Sequence, residues 1–285
     1  MKTALVMEGG GMRGAYTAGC LSWLIDNGIE FDTHYGISTG AVHLCSFLIK
    51  EKKYLYDLST DYIADDHLVG LKPLLREGRI VGYDYLFNYI LPDVFGFDMQ
   101  KVIDTAKDKS AKIGLYDLSV DKTIYKEIKD LDVGMNLLKG SVTLPIIGRI
   151  VKYDGGEYLD GGITDMIPVN EAIKDGNEKY LIITTKPGDY KRKKAGFFLR
   201  LLMRLNYLSH PKIAEDYSIR HENYNSQIET IKNLEKENKA TWILPSKTIP
   251  VSRMKGDKAD LRTLYNLGRS DMEARKEEIF AIFKK

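Results

Sequence analysis

Three short motifs in this chain combine residue types suited to nucleophilic chemistry at a carbonyl. The first is Gly36-Ile37-Ser38-Thr39-Gly40, a G-x-S-x-G sequence between an apolar run and a helical one. In such an elbow a tight strand-to-helix turn pushes the serine hydroxyl out of the sheet, and glycines flank it because side chains there would collide. Ser38 then stands at a helix start, where backbone N–H groups without intrahelical partners face whatever its Oγ attacks. The second motif is Gly9-Gly10-Gly11-Met12-Arg13-Gly14. Read as G-x-G-x-x-G after a strand, it is a dinucleotide fingerprint, with Asp32 near the expected place of a ribose-binding acid. Read as an oxyanion hole, it lets backbone N–H groups approach a developing alkoxide, and Arg13 adds positive charge. A dinucleotide fold carries its acid at the tip of the second strand, but Asp32 lies at that strand's beginning and the tip carries Ser38. The third motif, Asp160-Gly161-Gly162, puts a carboxylate before a sharp turn.

A serine hydroxyl needs a base to take its proton. Of the five histidines, His34 and His67 precede any plausible triad position, and His43 is about 140° round Ser38's own helix. His210 and His221 follow Asp160, so a Ser-Asp-His order is formally open. Neither has a strand-end or glycine-rich setting. Asp160 has both and can serve as the base directly, provided burial raises its pKa above that of an exposed aspartate. Asp154 and Asp165 compete for the role, and an isolated DGG can also be a plain turn.

The elements needed to hold these motifs are legible. Ala4–Met7 suits a strand buried on both faces. A helix follows from Gly14, closed by Asn27-Gly28, then a second strand runs to the elbow and the helix after it. This is the opening of an α/β sheet with right-handed crossovers. Residues 51–109 form an irregular helical insertion punctuated by Pro73, Gly78, Gly82, Pro92 and Gly96. A strand or hairpin is expected from Leu115, a helix and turn over Leu137–Pro145, and a hairpin over Arg149–Leu159 with Gly155-Gly156 at its turn. Pro168 opens a short helix, and Tyr180–Thr185 is a buried strand. The expected division is a catalytic core over 1–190 and a mainly helical extension over 191–285 packed on it. In the extension a charged helix is expected from about Ile213 to Glu237, a strand at Thr241–Ser246 and a final helix over about 258–283.

Composition narrows the class. The chain has 285 residues, 44% hydrophobic and 29% charged, with 42 basic against 40 acidic side chains. That suits an ordinary folded protein and gives no electrostatic reason to expect nucleic acid. Cys20 and Cys45 make no redox or metal pattern and read as buried thiols. No His, Cys or carboxylate cluster has metal-ligand spacing, so no metal or cofactor is expected. MKTALVME is far short of a signal-peptide core, and no apolar run reaches the ~18 residues that cross a bilayer, so a cytoplasmic location is expected. Residues 191–208 add one surface feature: four cations, then a helix with Phe197, Phe198, Leu201, Leu202, Leu205 and Leu208 on one face. Such a helix packs on the core or lies peripherally on an anionic membrane.

In their order and spacing, Gly9–Gly14, Gly36–Gly40 and Asp160–Gly162 resemble the patatin-like phospholipases. Ser141–Pro145 matches the family's serine-proline turn, and Pro168-Val169 the proline after its DGG. The resemblance spans roughly residues 1–187, and the tail from Pro245 to Ala274 is similar to a bacterial subset. Met166 departs from it, since many members carry an asparagine before that proline. The resemblance implies a three-layer α/β/α hydrolase with a mostly parallel sheet and a helical C-terminal extension. It also implies hydrolysis of lipid acyl esters by a Ser38–Asp160 dyad, with N–H groups of Gly10, Gly11 and Thr39 at the oxyanion. Met12 and the charge of Arg13 assist there, and Gly36, Gly40, Gly161 and Gly162 shape the turns. Two alternatives stand beside it: a nucleotide-binding protein using Gly9–Gly14, and a lipid-binding member of the fold without turnover. Substrate head group, acyl position and oligomeric state are not specified by the sequence.

Overall fold

Alternation along the strands sets the layers. The structure, a computed structural model, describes residues 1–283. Its strands are β1 (Thr3–Met7), β2 (Thr33–Ile37), β3 (Ser110–Asp117), β4 (Lys122–Glu127), β5 (Val151–Tyr153), β6 (Gly156–Asp160), β7 (Lys179–Ile183) and β8 (Ala240–Ile243). In β1, Leu5 and Met7 enter one apolar cluster and Ala4 and Val6 another. Side chains of successive strand residues point to opposite faces, so a strand apolar at every position must be covered on both. One face receives helices Gly14–Asp26, Thr39–Leu48 and Lys258–Ala274; the other receives Val169–Lys174 and Arg220–Lys236. This is the expected three-layer α/β/α arrangement.

The eight strands form a single sheet in the order β5-β6-β3-β2-β1-β7-β8, with β4 also on β3. Strands β3, β2, β1, β7 and β8 run parallel, and β8 is drawn from beyond residue 191. The pairing of β3 has a further consequence. Its residues Leu115–Asp117 bond both β4 and β6, while Lys112–Gly114 bond both β4 and β2. A strand has two edges, so β2 and β6 share the edge opposite β4 and meet end to end. Ile37 closes β2 opposite Gly114, and Asp160 closes the oppositely directed β6 opposite Leu115.

Several elements differ from expectation in their boundaries. The hairpin turn falls on Asp154-Gly155, both at positive φ, and Gly156 already belongs to β6. Two adjacent residues at positive φ match the right-handed twist of the flanking strands. The helix expected over 213–237 is two, Pro211–Ser218 and Arg220–Lys236, broken at Ile219, where the turn brings Arg220 to the Gly162 carbonyl. The last helix also breaks, at Arg275, whose guanidinium bonds the Trp242 carbonyl and the Glu278 carboxylate. Cys20 and Cys45 are buried free thiols.

Helices Gly14–Asp26 and Lys258–Ala274 pack backbone against backbone at Gly19 and Gly268. A methyl at Gly19 would strike the Tyr265 carbonyl, and one at Gly268 would strike the Tyr16 carbonyl. Backbone cannot yield there as a flexible side chain would, and overpacking typically costs about 1–3 kcal/mol. Gly19→Ala is therefore expected to lower the unfolding free energy by about 3 kcal/mol, whereas Gly28→Ala, which meets open space at positive φ, should lose about 1–2 kcal/mol from backbone strain alone. Urea unfolding of the two variants distinguishes packing from backbone strain.

Candidate active site

The elbow forms as its residues require. Ser38 adopts φ 56°, ψ −126°, a conformation L-residues avoid, between β2 and helix Thr39–Leu48. Such strain costs about 1–3 kcal/mol and persists only where the surroundings enforce it. They do so here: a Cβ on Gly36 would lie 2.6 Å from the Gly40 carbonyl oxygen, and one on Gly9 would lie 2.7 Å from the Ser38 Cβ. The glycine loop therefore lies against the serine, as adjacent parallel strands β1 and β2 dictate.

The loop's N–H groups are not equivalent. Gly10 donates to Thr39 Oγ1 at 3.1 Å and Met12 to the Arg253 carbonyl at 3.0 Å. Those of Gly11 and Thr39 have no partner among the described residues. Arg13 is partly buried with its Nε unpartnered, and its pKa is lowered first by burial, then by Arg253. On the other side of the nucleotide alternative, Asp32 bonds the N–H and hydroxyl of Thr3 at the start of the strands, away from the loop. It does not face a ligand held at Gly9–Gly14.

Asp160 enters from the end of β6. Gly162 N–H donates to its Oδ1 at 2.7 Å, and its own N–H bonds the Thr143 carbonyl. Its Oδ2 is buried with no hydrogen-bond partner among the described residues. Burial raises its pKa above the ordinary aspartate value, opposed by the Ser38 hydroxyl, Gly162 N–H, Arg220 and Arg253. Ser38, Asp160, Gly11, Gly162, Arg220 and Arg253 line one cleft. The competitors lie elsewhere. Asp154 forms the hairpin turn; Asp165 accepts from Tyr125 at 2.5 Å and Gln227 at 2.7 Å. His210 lies 3.5 Å from Glu157 and His221 3.6 Å from Glu222. His43 is buried, near Ser59 at 3.4 Å, and burial lowers its pKa to about 4.

A second, apolar cavity opens from the elbow. Ser38, Thr39 and Met12 form its floor, and Leu58, Leu68 and Leu86 from the 51–109 insertion form its wall. Sequence reasoning did not single out Arg220 or Arg253, because their spacing from Ser38 carries no motif. Nor did it single out Glu8, which is fully buried beside the loop and held by Thr185 and Lys186. Met166, the departure from the family pattern, is buried, and its carbonyl accepts Gly9 N–H at 3.2 Å.

Residues 5–173, more than half of the chain, match the family described as patatin-like phospholipase. The chain belongs to the patatin-like phospholipase family. Residues 210–284 match a domain of unknown function, DUF6363. The uncharacterised protein YjjU of Escherichia coli K12 is 30% identical over 193 residues, which span 65% of this chain and 52% of YjjU. The alignment thus covers about half the length of YjjU. The probable lipid hydrolase 463L of Invertebrate iridescent virus 6 is 28% identical over 211 residues, 66% of this chain and 71% of that protein. Among solved structures, VipD from Legionella pneumophila matches with a TM-score of 0.51 at 12% identity, over 97% of this chain and 67% of VipD, a likeness of fold.

The two buried aspartates are separable. Burial raises Asp165 to about 7, opposed by Tyr125. With the folded pKa above the unfolded one, its contribution to stability is full below the ordinary carboxyl range and is lost as pH rises through about 7. Asp165→Asn should flatten the fall in Tm between about pH 4 and pH 7 while retaining esterase activity. A variant without activity would transfer the base role to Asp165.

Proposed function

We propose that this protein is a serine acyl-ester hydrolase acting on lipids, working through Ser38 and Asp160. The observation that carries this reading is the meeting of β2 and β6 on one edge of β3, which brings a strained serine and a buried, half-unpartnered carboxylate into one cleft beside a glycine loop. Family membership and the lipid hydrolase relative support the substrate class. Asp160 takes the Ser38 proton as Oγ attacks the ester carbonyl. The developing alkoxide is met by the N–H groups of Gly11 and Thr39, with Gly10 next to them. Asp160 then protonates the leaving alcohol, and a water activated by the same carboxylate releases the acyl group from Ser38. The apolar cavity under the insertion is placed for the acyl chain. Because the carboxylate form is the base, kcat/KM should fall as pH drops through the raised pKa of Asp160. Arg220→Gln, which removes a cation that lowers that pKa, should move this acid limb to higher pH.

A membrane-docking role for residues 191–208 belongs to the same reading. No helix among the described residues is long and apolar enough to cross a membrane. Helix Phe197–Asn206 instead anchors through Met203, with Tyr207 just beyond, on Leu159 and Ile163, the segment that carries Asp160. Its apolar face points outward: Phe198 is 83% exposed and Leu208 77%. Lys191, Lys193 and Lys194 are exposed just before it. Such a face with adjacent cations suits an anionic bilayer surface, each cation contributing about 1 kcal/mol.

Ser38→Ala and Asp160→Asn are each expected to reduce hydrolysis of a p-nitrophenyl ester by about three orders of magnitude, with Tm retained. A folded Ser38→Ala protein of normal activity would refute the mechanism, as would loss in His210→Ala or His221→Ala as severe as in Ser38→Ala. For the helix, Phe197→Asp/Phe198→Asp should abolish flotation with anionic vesicles and leave hydrolysis of a soluble ester in place.

A further inference from the structure

Residues 210–284 lie outside the patatin-like match and match a domain of unknown function. Several of their polar contacts fall on the backbone of the two loops that form the cleft. Helix Arg220–Lys236 runs along the segment that follows Asp160. Arg220 Nε donates to the Gly162 carbonyl, and Asn223 Nδ2 donates to that of Thr164 at 3.1 Å. Gln227 accepts the Ile167 N–H at 3.1 Å and donates to the Asp165 carboxylate at 2.7 Å. Positions i, i+3 and i+7 share one helix face, so a single polar stripe grips residues 162–167 in chain order. Beside this stripe the Tyr224 ring takes the guanidinium of Arg192, which turns inward to 5.0 Å from the ring centroid. Gly162 is held at both ends, since its N–H donates to Asp160 Oδ1 at 2.7 Å. A Cβ there would lie 2.8 Å from that same oxygen and 3.3 Å from Arg220. The gripped segment also reaches the glycine loop, where the Met166 carbonyl accepts the Gly9 N–H at 3.2 Å.

The second hold comes from the turn Ser252–Lys255. Ser252 Oγ accepts the N–H groups of Met254 at 3.3 Å and Lys255 at 2.9 Å, and the Ser252 N–H bonds the Lys255 carbonyl. This turn presents the Arg253 carbonyl to the Met12 N–H at 3.0 Å. A Cβ on Gly11 would lie 2.4 Å from that carbonyl oxygen. Gly11, whose own N–H stays open, is thus fixed from its C-terminal side. Loop backbone is mobile unless tied, and a displacement of about 1 Å in a reacting or positioning group costs up to roughly a hundredfold in rate. We infer that the domain spanning residues 210–284 is a positioning domain for catalysis: its helix Arg220–Lys236 sets the Asp160 turn and its turn Ser252–Lys255 sets the glycine loop. Base and oxyanion donors are then fixed before an ester arrives. The inference rests on the hydrolase reading above. Arg220, Asn223 and Ser252 act as positioning residues, through Gly162, Thr164 and the Arg253 carbonyl.

The test uses the full chain and two uncharged sites, the half-buried Asn223 and the exposed Ser252, each changed to Ala, with Arg220→Ala and Arg220→Lys beside them. It is read on the alkaline plateau of the pH profile, where Asp160 is ionised in every variant. There kcat for a soluble p-nitrophenyl ester should fall about fivefold in Asn223→Ala and in Ser252→Ala, as for one lost hydrogen bond, with KM within about twofold. Arg220→Ala should lose roughly a hundredfold, and Arg220→Lys should recover most of it. Ser246→Ala, which removes a 2.6 Å bond to Asp271 in the same domain and touches neither loop, should keep the wild-type kcat. Hydrogen exchange reads the same positions without turnover: residues 160–167 should exchange faster in Asn223→Ala and residues 9–14 in Ser252→Ala, with the core strands unchanged. Full kcat in folded Asn223→Ala and Ser252→Ala, an equal loss in Ser246→Ala, or a rise in KM alone overturns the inference. If the wild type hydrolyses no ester, the hydrolase reading has failed and exchange decides by itself. Faster exchange confined to the two loops then supports the hold on both, and unchanged or uniformly faster exchange overturns it.

Discussion

Everything at this site depends on one edge of β3 being shared by two strands that arrive from opposite directions. A strand can bond only two neighbours along any stretch. β4 occupies one edge from Lys112 to Asp117, leaving the other to be divided between β2 and β6. Where the two meet, neither can continue, so each must turn out of the sheet at the same place. The chain resolves the collision with an elbow on one side and Asp160-Gly161-Gly162 on the other. A methyl on Gly161 would lie 2.7 Å from the Gly114 carbonyl oxygen, so the residue after Asp160 has no room for a side chain. The juxtaposition of Ser38 and Asp160 is thus a product of sheet topology before it is one of side-chain chemistry.

Much of this was legible because it was local. The elbow glycines, the buried strands and the helix closed by Asn27-Gly28 follow from steric rules acting within a few residues, and each appears at its expected place. The breaks at Ile219 and Arg275 were not legible. Neither carries a glycine or proline signal; tertiary partners, the Gly162 and Trp242 carbonyls, hold the arginines that flank or form the breaks. The same limit applies to Arg220 and Arg253. They lie 182 and 215 positions after Ser38 in the chain, and only the packing of the last helices brings them back. The inward turn of Arg192 was hidden in a run of cations that reads as a uniformly exposed surface.

The expected oxyanion groups sharpen in a comparable way. Sequence places four backbone donors near Ser38 but cannot say which are already spent. Gly10 bonds the Thr39 hydroxyl and Met12 the Arg253 carbonyl, so the loop is fastened at two points and the N–H groups of Gly11 and Thr39 remain open. Fastening serves preorganisation: donors fixed before the reaction need not reorganise as charge develops. Arg253 takes part through its backbone, tying the glycine loop to the C-terminal region, while its side chain lines the cleft.

That double use bears on how a lone aspartate can work as a base. Burial alone favours the neutral form of the Asp160 carboxyl, which can donate a proton but not accept one. Cations alone would hold it in the ordinary range or below, where it is a weak base. Here both act: the carboxyl is buried, and Arg220 and Arg253 oppose the rise along with the Ser38 hydroxyl and Gly162 N–H. Arg220 and Arg253 thereby have an electrostatic role of their own, opposing the rise that burial imposes on the Asp160 carboxyl.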